Sequence, residues 1–370
     1  MHIPATLFSL NERLLPRLQH FSSTRDTRRA LLAYQRIPRT PLPGYFAYSH
    51  NNKLTAKMLI EALTHLGFSV DLIDWLDTPP DNRTYDLVLS HGPKYFDHIR
   101  ALKPGGTKLL LVTGANPAFG NNAQQERERL LRTRRPVPFE PKPLNLVTYL
   151  EPALQDAQHI LLVGNAWTRS TYDIAVQAKM WPIKNITPFA ARLREQTPRK
   201  RFIFFSSVGQ VHRGLDLVLE AFQKTDAQLL VASHYANEPD FCDIYRRELF
   251  HSANIRPVGL LKTHSPHFMK IASQADFCVL PSCSEGQSGS LLNLMALGII
   301  PIATQECGVD LNDVGFTIDE PSPEGVLEAC QNALAHTELD ALRKRLRQVA
   351  STHNLDAVRL STIQTIRQLC

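Results

Sequence analysis

One stretch limits what this chain can fold into more than any other: Asp276 to Thr304, ADFCVLPSCSEGQSGSLLNLMALGIIPIAT. A short apolar strand, Phe277–Leu280, runs into a Ser- and Gly-rich loop, Pro281–Gly289. An apolar helix follows from Ser290 to Ala296 and is stopped by Gly298, and a second apolar run begins at Ile299. Strand, glycine-rich loop, helix and strand in that order are the parts of a parallel α/β unit. The loop falls at the carboxyl end of a strand and the amino end of a helix. Unpaired backbone N–H groups and the helix dipole favour an anion there, phosphate above all.

Length and composition narrow the class. The chain has 370 residues, enough for two ordinary domains. No run approaches the ~20 apolar residues of a membrane span, and the first residues lack the apolar core of a signal peptide, so a cytoplasmic protein is expected. The six cysteines include no C-x-x-C pair, and none precedes Cys242, which argues against disulfide and metal frameworks. The net charge of +6 is uneven. Seven arginines against two acids lie between residues 1 and 40, and Arg127, Arg129, Arg132, Arg134 and Arg135 form a second cluster. Such clusters suit an anionic lipid surface at the inner face of a membrane, an acidic acceptor, or a plain solvated face. Aromatics do not interleave with them, so nucleic acid is not expected as a partner.

Residues 1–40 read as a basic appendage with helical spacing over Leu7–His20 and Arg25–Gln35. A first α/β domain over 41–190 is expected to begin with a strand at Tyr45–Tyr48 that ends in Ser49-His50-Asn51-Asn52. A helix over Thr55–Leu66 follows, then strands at Ser69–Trp75, Tyr85–Ser90, Lys108–Thr113 and His159–Gly164. The Lys103-Pro104-Gly105-Gly106 run resembles a methyltransferase motif, but no glycine loop follows the first expected strand, so it reads as a turn. A linker over 187–200 precedes a second α/β domain over 201–355, whose first strand, Phe202–Ser206, leads to Gly209-Gln210-Val211-His212-Arg213-Gly214. Function in such sheets lies where strands end. The tail over 356–370 is helical.

The frame P-S-x-x-E-G-x₅-L-x-x-M-A-x-G-x-x-P-I-A-T resembles the donor-site signature of retaining, nucleotide-sugar-dependent glycosyltransferases of the GT-B type, glycosyltransferase family four. That resemblance implies two Rossmann-like, doubly wound domains facing a central cleft, with the C-terminal helix crossing back to the first domain. It implies that Glu285 meets the donor sugar. Asn293, eight residues on, stands where the family has a Glu that holds the ribose. The family's diphosphate clamp, G-R-x₄-K-G, is matched by Arg213 and Gly214, with Val208 in place of the first cation and Gly209 within the same donor loop. Gln287, Ser288, Gly289 and Ser290 would cradle the diphosphate, and Gly259 would open the loop beside the base. His91 and Asn116 would join Glu285 at the reaction centre, with His50 and Asn51 on the acceptor side. A nucleoside-diphosphate sugar as donor, a glycan or lipid-linked acceptor, and neither metal nor cofactor are what the resemblance implies. The expected activity is sugar transfer with retention, in surface polysaccharide or lipopolysaccharide synthesis. Val208 and Asn293 leave a second reading open, a degenerate nucleotide-binding or scaffold protein; a nucleotide-sugar epimerase is a third.

Overall fold

The computed structural model describes residues 15–23, 28–38, 51–140, 150–193, 200–263 and 265–370. The first sheet contains β1 (Leu18–Phe21), β2 (Arg28–Tyr34), β3 (Phe68–Asp74), β4 (Tyr85–Ser90), β5 (Leu102–Val112), β6 (His159–Val163) and β7 (Met180–Ile183). The second contains β8 (Arg201–Phe205), β9 (Gln228–Ala232), β10 (Ile255–Pro257), β11 (Phe277–Leu280), β12 (Ile300–Ala303) and β13 (Phe316–Thr317). The helices that matter below are α1 (Asn51–His65), α2 (Pro117–Arg134), α3 (Ala166–Ser170), α4 (Leu215–Phe222), α5 (Gly289–Ala296) and α6 (Leu355–Leu369).

The strand orders are β1-β3-β2-β4-β5-β6-β7 and β10-β9-β8-β11-β12-β13. All pairings are parallel except β1 with β3. Parallel strands are covered by helices on both faces, which explains why Phe277, Cys278, Val279 and Leu280 are all buried rather than alternating. Among the parallel strands of each sheet the winding reverses direction once, between β2 and β4 and between β8 and β11. Ligands of doubly wound sheets bind at such reversals, outside the carboxyl ends of the strands.

The amino-terminal segment corrects the expected appendage. Leu18–Phe21 and Arg28–Tyr34 are strands, and β2 sits inside the sheet between β3 and β4. Ala30 to Tyr34 are buried without interruption. A short run that is apolar on every side has no period to separate strand from helix. The expected strand at Tyr45–Tyr48 and His50 lie outside the described residues. Lys103–Gly106, read as a turn, lies within β5 at a register shift against β4. After β6 come two short helices, Ala166–Ser170 and Ile174–Gln177, and the first is capped by Asn165.

The carboxyl-terminal helix closes the first domain. Val358, Ile363, Ile366 and Leu369 of α6 are buried in one cluster with Met58, Leu59 and Leu63 of α1. Ile366→Val should therefore cost ~1 kcal/mol, the usual loss for one buried methylene. Thermal unfolding would check this, and an unchanged midpoint would remove α6 from that core.

Among the described residues no helix is long and apolar enough to cross a membrane.

Candidate functional site

The two carboxyl edges face each other across a cavity of about 610 Å³. Phe205, Ser206 and Ser207 at the end of β8 line one side, and Glu285, Gln287 and the start of α5 line another. Leu260 to Thr263 close the wall beyond β10, while Asn51, Asn52 and Asn185 reach in from the first domain.

The helix entry leaves backbone donors open at the cavity. Ser288 caps α5 and its hydroxyl accepts from the Leu291 N–H. The Gly289 and Ser290 N–H groups, first and second in the helix, have no acceptor within it, and both residues line the cavity. Asn51 of the first domain comes close to this entry: a Cβ at 289 would lie 2.6 Å from Asn51 Nδ2.

Besides Lys262, Arg213 lines the cavity as a cation. It stands just before α4, and Gly214, the cap of that helix, has φ 78. A side chain at 214 would also meet the Pro281 carbonyl at 2.5 Å, so strand β11 passes directly behind the turn. Arg213 forms an ion pair with Glu285, whose carboxylate also accepts from Ser282 Oγ at 3.1 Å. Burial lowers the pKa of the guanidinium, and its Nε is buried without a partner among the described residues. Arg213 and the amino terminus of α5 line the same cavity, and each is a kind of group that attracts phosphate.

The neighbouring His212 is held neutral, because burial pushes its pKa down to about 4. Its Nε2 lies 2.9 Å from the Ser284 carbonyl, which requires a donor there. That assigns the proton to Nε2 and leaves Nδ1 as acceptor toward the Cys283 thiol at 3.4 Å. Burial raises that thiol to about 11, so Cys283 is a structural group here.

Of the residues singled out from the sequence, the structure brings Arg213, Glu285, Gln287, Ser288, Gly289, Ser290, Asn293 and Asn51 to one cavity. Others are placed differently. Gly209 does not line it, and its N–H donates to Glu238, as does that of Gln210. An internal carboxylate thus takes the amides that the turn was expected to offer a phosphate. Gly214 and Gly259 are also absent from the lining. His91 stacks on Trp75, with Nδ1 2.9 Å from the Leu111 carbonyl, and burial lowers its pKa. It ties β4 to β5 rather than facing the cavity. Asn116 caps α2, accepting from Ala118 N at 2.8 Å, and also stays off the lining. Asn293 accepts from Thr187 Oγ1 at 3.0 Å, so its amide N–H₂ is what remains for a ligand. Asn185 went unrecognised in the sequence: a lone Asn after a strand carries no motif.

The arginine cluster 127–135 receives a new assignment. Arg134 pairs with Asp216 at 2.5 Å and with Glu220, and Arg135 pairs with Glu248 at 2.6 Å and lies over Tyr245. Arg127 is buried and donates to the Pro281 carbonyl at 2.8 Å. Leu131 of α2 and Phe139 beyond it lie in the core of the second domain. Three of the five arginines therefore face protein and not a membrane or an acidic acceptor.

Residues 199–336 match the family model of glycosyl transferases group 1. No curated protein sequence matches significantly. Solved structures do. Sucrose-phosphate synthase from Thermosynechococcus elongatus is 16% identical with TM-score 0.64, over 92% of this chain and 98% of that one. HepE from Anabaena, in complex with UDP-glucose, is 11% identical with TM-score 0.59, over 93% and 100%. TarM from S. aureus, in complex with UDP, is 11% identical with TM-score 0.53; the match covers 75% of this chain and 55% of that one, so the chain spans about half of it. These likenesses show the fold, which is GT-B.

Proposed function

We propose that the chain is a retaining glycosyltransferase that takes a nucleoside-diphosphate sugar as donor. The observation that carries this is the cavity where Arg213 and the amino terminus of α5 converge beside Glu285. The match of the second domain to group 1 glycosyltransferases supports it, and so does the UDP-glucose bound by HepE. A diphosphate would replace Glu285 as the partner of Arg213 and take the Gly289 and Ser290 N–H groups. These contacts strengthen as the C–O bond to the sugar breaks and the leaving phosphate gains charge. The acceptor hydroxyl forms the new bond on the same face, and its proton passes to the departing phosphate. Glu285, released from Arg213, would orient the sugar. Backbone amides and the guanidinium do what a metal would do for a diphosphate, so neither metal nor cofactor is proposed. Asn51 and Asn52 open α1 on the acceptor side. The acceptor proposed is a glycan or lipid-linked glycan, in surface polysaccharide synthesis; one of the structural neighbours, WaaG, serves lipopolysaccharide synthesis. That protein is 14% identical with TM-score 0.53, over 91% of this chain and 99% of that one.

A thermal-shift series with UDP, GDP and ADP, followed by transfer assays with the matching nucleotide sugars, tests the proposal. One nucleotide should stabilise the protein, and stabilisation by none would sink it. Stabilisation without any transfer would instead favour the binding or scaffold reading. Arg213→Ala should raise the donor KM at least about tenfold, the loss of one charge-assisted contact to phosphate. Unchanged KM and kcat would take Arg213 out of the clamp.

A further inference from the structure

The loop between β11 and α5 carries Glu285, and most of its carbonyl groups accept a hydrogen bond. The Ser282 carbonyl accepts from Thr304 and that of Ser284 from His212, both within the second domain. The other donors belong to the first domain. The Pro281 carbonyl accepts from Arg127 at 2.8 Å, and that of Glu285 from the Ala115 N–H at 3.2 Å. The Gly286 carbonyl accepts from Thr168 Oγ1 at 2.6 Å, and that of Gln287 from Asn185 Nδ2 at 2.8 Å. The Asn185 N–H donates in addition to the Gln287 side chain at 2.7 Å.

The fit is close enough to dictate a residue. A Cβ at Gly286 would run into the Thr113 carbonyl and lie 2.8 Å from that of Val163, at the carboxyl ends of β5 and β6. Thr168 itself is fully buried. It is fixed by the cap of α3, where its N–H donates to Asn165 Oδ1 at 3.0 Å.

Carbonyls repel a phosphate and amides attract it, so the orientation of each peptide plane decides whether such a loop binds an anion. In a trans peptide the C=O and the next N–H point in opposite directions. Holding the Gly286 carbonyl on Thr168 turns the Gln287 N–H the other way, and Gln287 lines the cavity. We infer that the first domain sets the anion site of the second, with Thr168 and Arg127 as positioning residues that never touch the ligand. This inference rests on the reading of the cavity as a nucleoside-diphosphate site.

Calorimetric titration at 15 °C with UDP, GDP and ADP tests it on the wild type, Thr168→Val, Thr168→Ser and Arg127→Met. With the nucleotide that the wild type binds, Thr168→Val and Arg127→Met should each bind at least about fivefold more weakly, the worth of one hydrogen bond that orients a buried peptide. Thr168→Ser keeps the hydroxyl and should stay within about twofold of wild type. Unfolding midpoints measured without nucleotide separate positioning from bulk stability. A purely structural residue would move the midpoint and leave the affinity of the folded protein unchanged, and that result overturns the inference. Should Thr168→Val fail to fold, Arg127→Met decides by the same readout. A wild type that binds none of the three nucleotides overturns the reading of the cavity and this inference together. Wild-type binding with unchanged variant affinity overturns the inference alone.

Discussion

Glu285→Ala should lose about 10²–10³-fold in sugar transfer, the scale of removing one group that acts mainly in the transition state, while nucleoside-diphosphate affinity holds or rises. The two directions follow from one contact. Glu285 is the ion-pair partner of Arg213, and Arg213 has a further buried nitrogen without a partner among the described residues. Removing the carboxylate leaves the guanidinium uncompensated, and an incoming diphosphate no longer competes for it. The sugar loses the group that would orient it, so turnover falls although the diphosphate is held. Glu285→Gln is the useful companion, since it keeps the shape and the bond from Ser282 but drops the charge. Transfer near the wild-type rate in Glu285→Ala would end the donor-site assignment. Loss of nucleotide binding in a folded variant would move Glu285 from chemistry to binding.

Arg134→Met should cost about 3 kcal/mol of stability at pH 8 and clearly less at pH 5. Arg134 reaches from α2 of the first domain to Asp216, which is fully buried in the second. Removing one partner of a buried pair leaves an uncompensated charge, which is where the larger losses arise. Burial is the main influence on Asp216 and raises its pKa to about 6, with Arg134 and then Arg127 pulling it back. Glu220 raises it as well, and Tyr245 and Cys283 lie close enough to feel its charge. For an acid raised above its unfolded value, the stability contribution is complete below the unfolded pKa and is lost as pH rises through the folded one. Without Arg134 the folded value rises further, so the gap between variant and wild type opens as pH climbs through 6. Chemical denaturation across pH 5–8 would show it. A pH-independent difference would mean that Arg134 acts through packing alone.

Much of the second domain was legible because its signals are local. Residues 276–304 contain their own punctuation: a run apolar on all sides, a loop of small residues, a serine that caps the helix, and Gly298 to stop it. Nearest neighbours fix such features, so the sequence alone carries them. The amino terminus was misread for the complementary reason. Arg28–Tyr34 becomes a strand because β3 and β4 flank it, and nothing inside those residues says so.

The sequence by itself therefore determined the doubly wound second domain, its serine-capped helix entry and the place of Arg213 just before a helix. Only the tertiary structure decided what the charges and amides meet. Glu238 takes the Gly209 amide, acids of the second domain take Arg134 and Arg135, and the first domain takes the carbonyls of the Glu285 loop. Chain periodicity and capping act over a few residues, whereas a hydrogen bond or ion pair is indifferent to sequence separation, so its partner exists only once the two sheets have closed on each other.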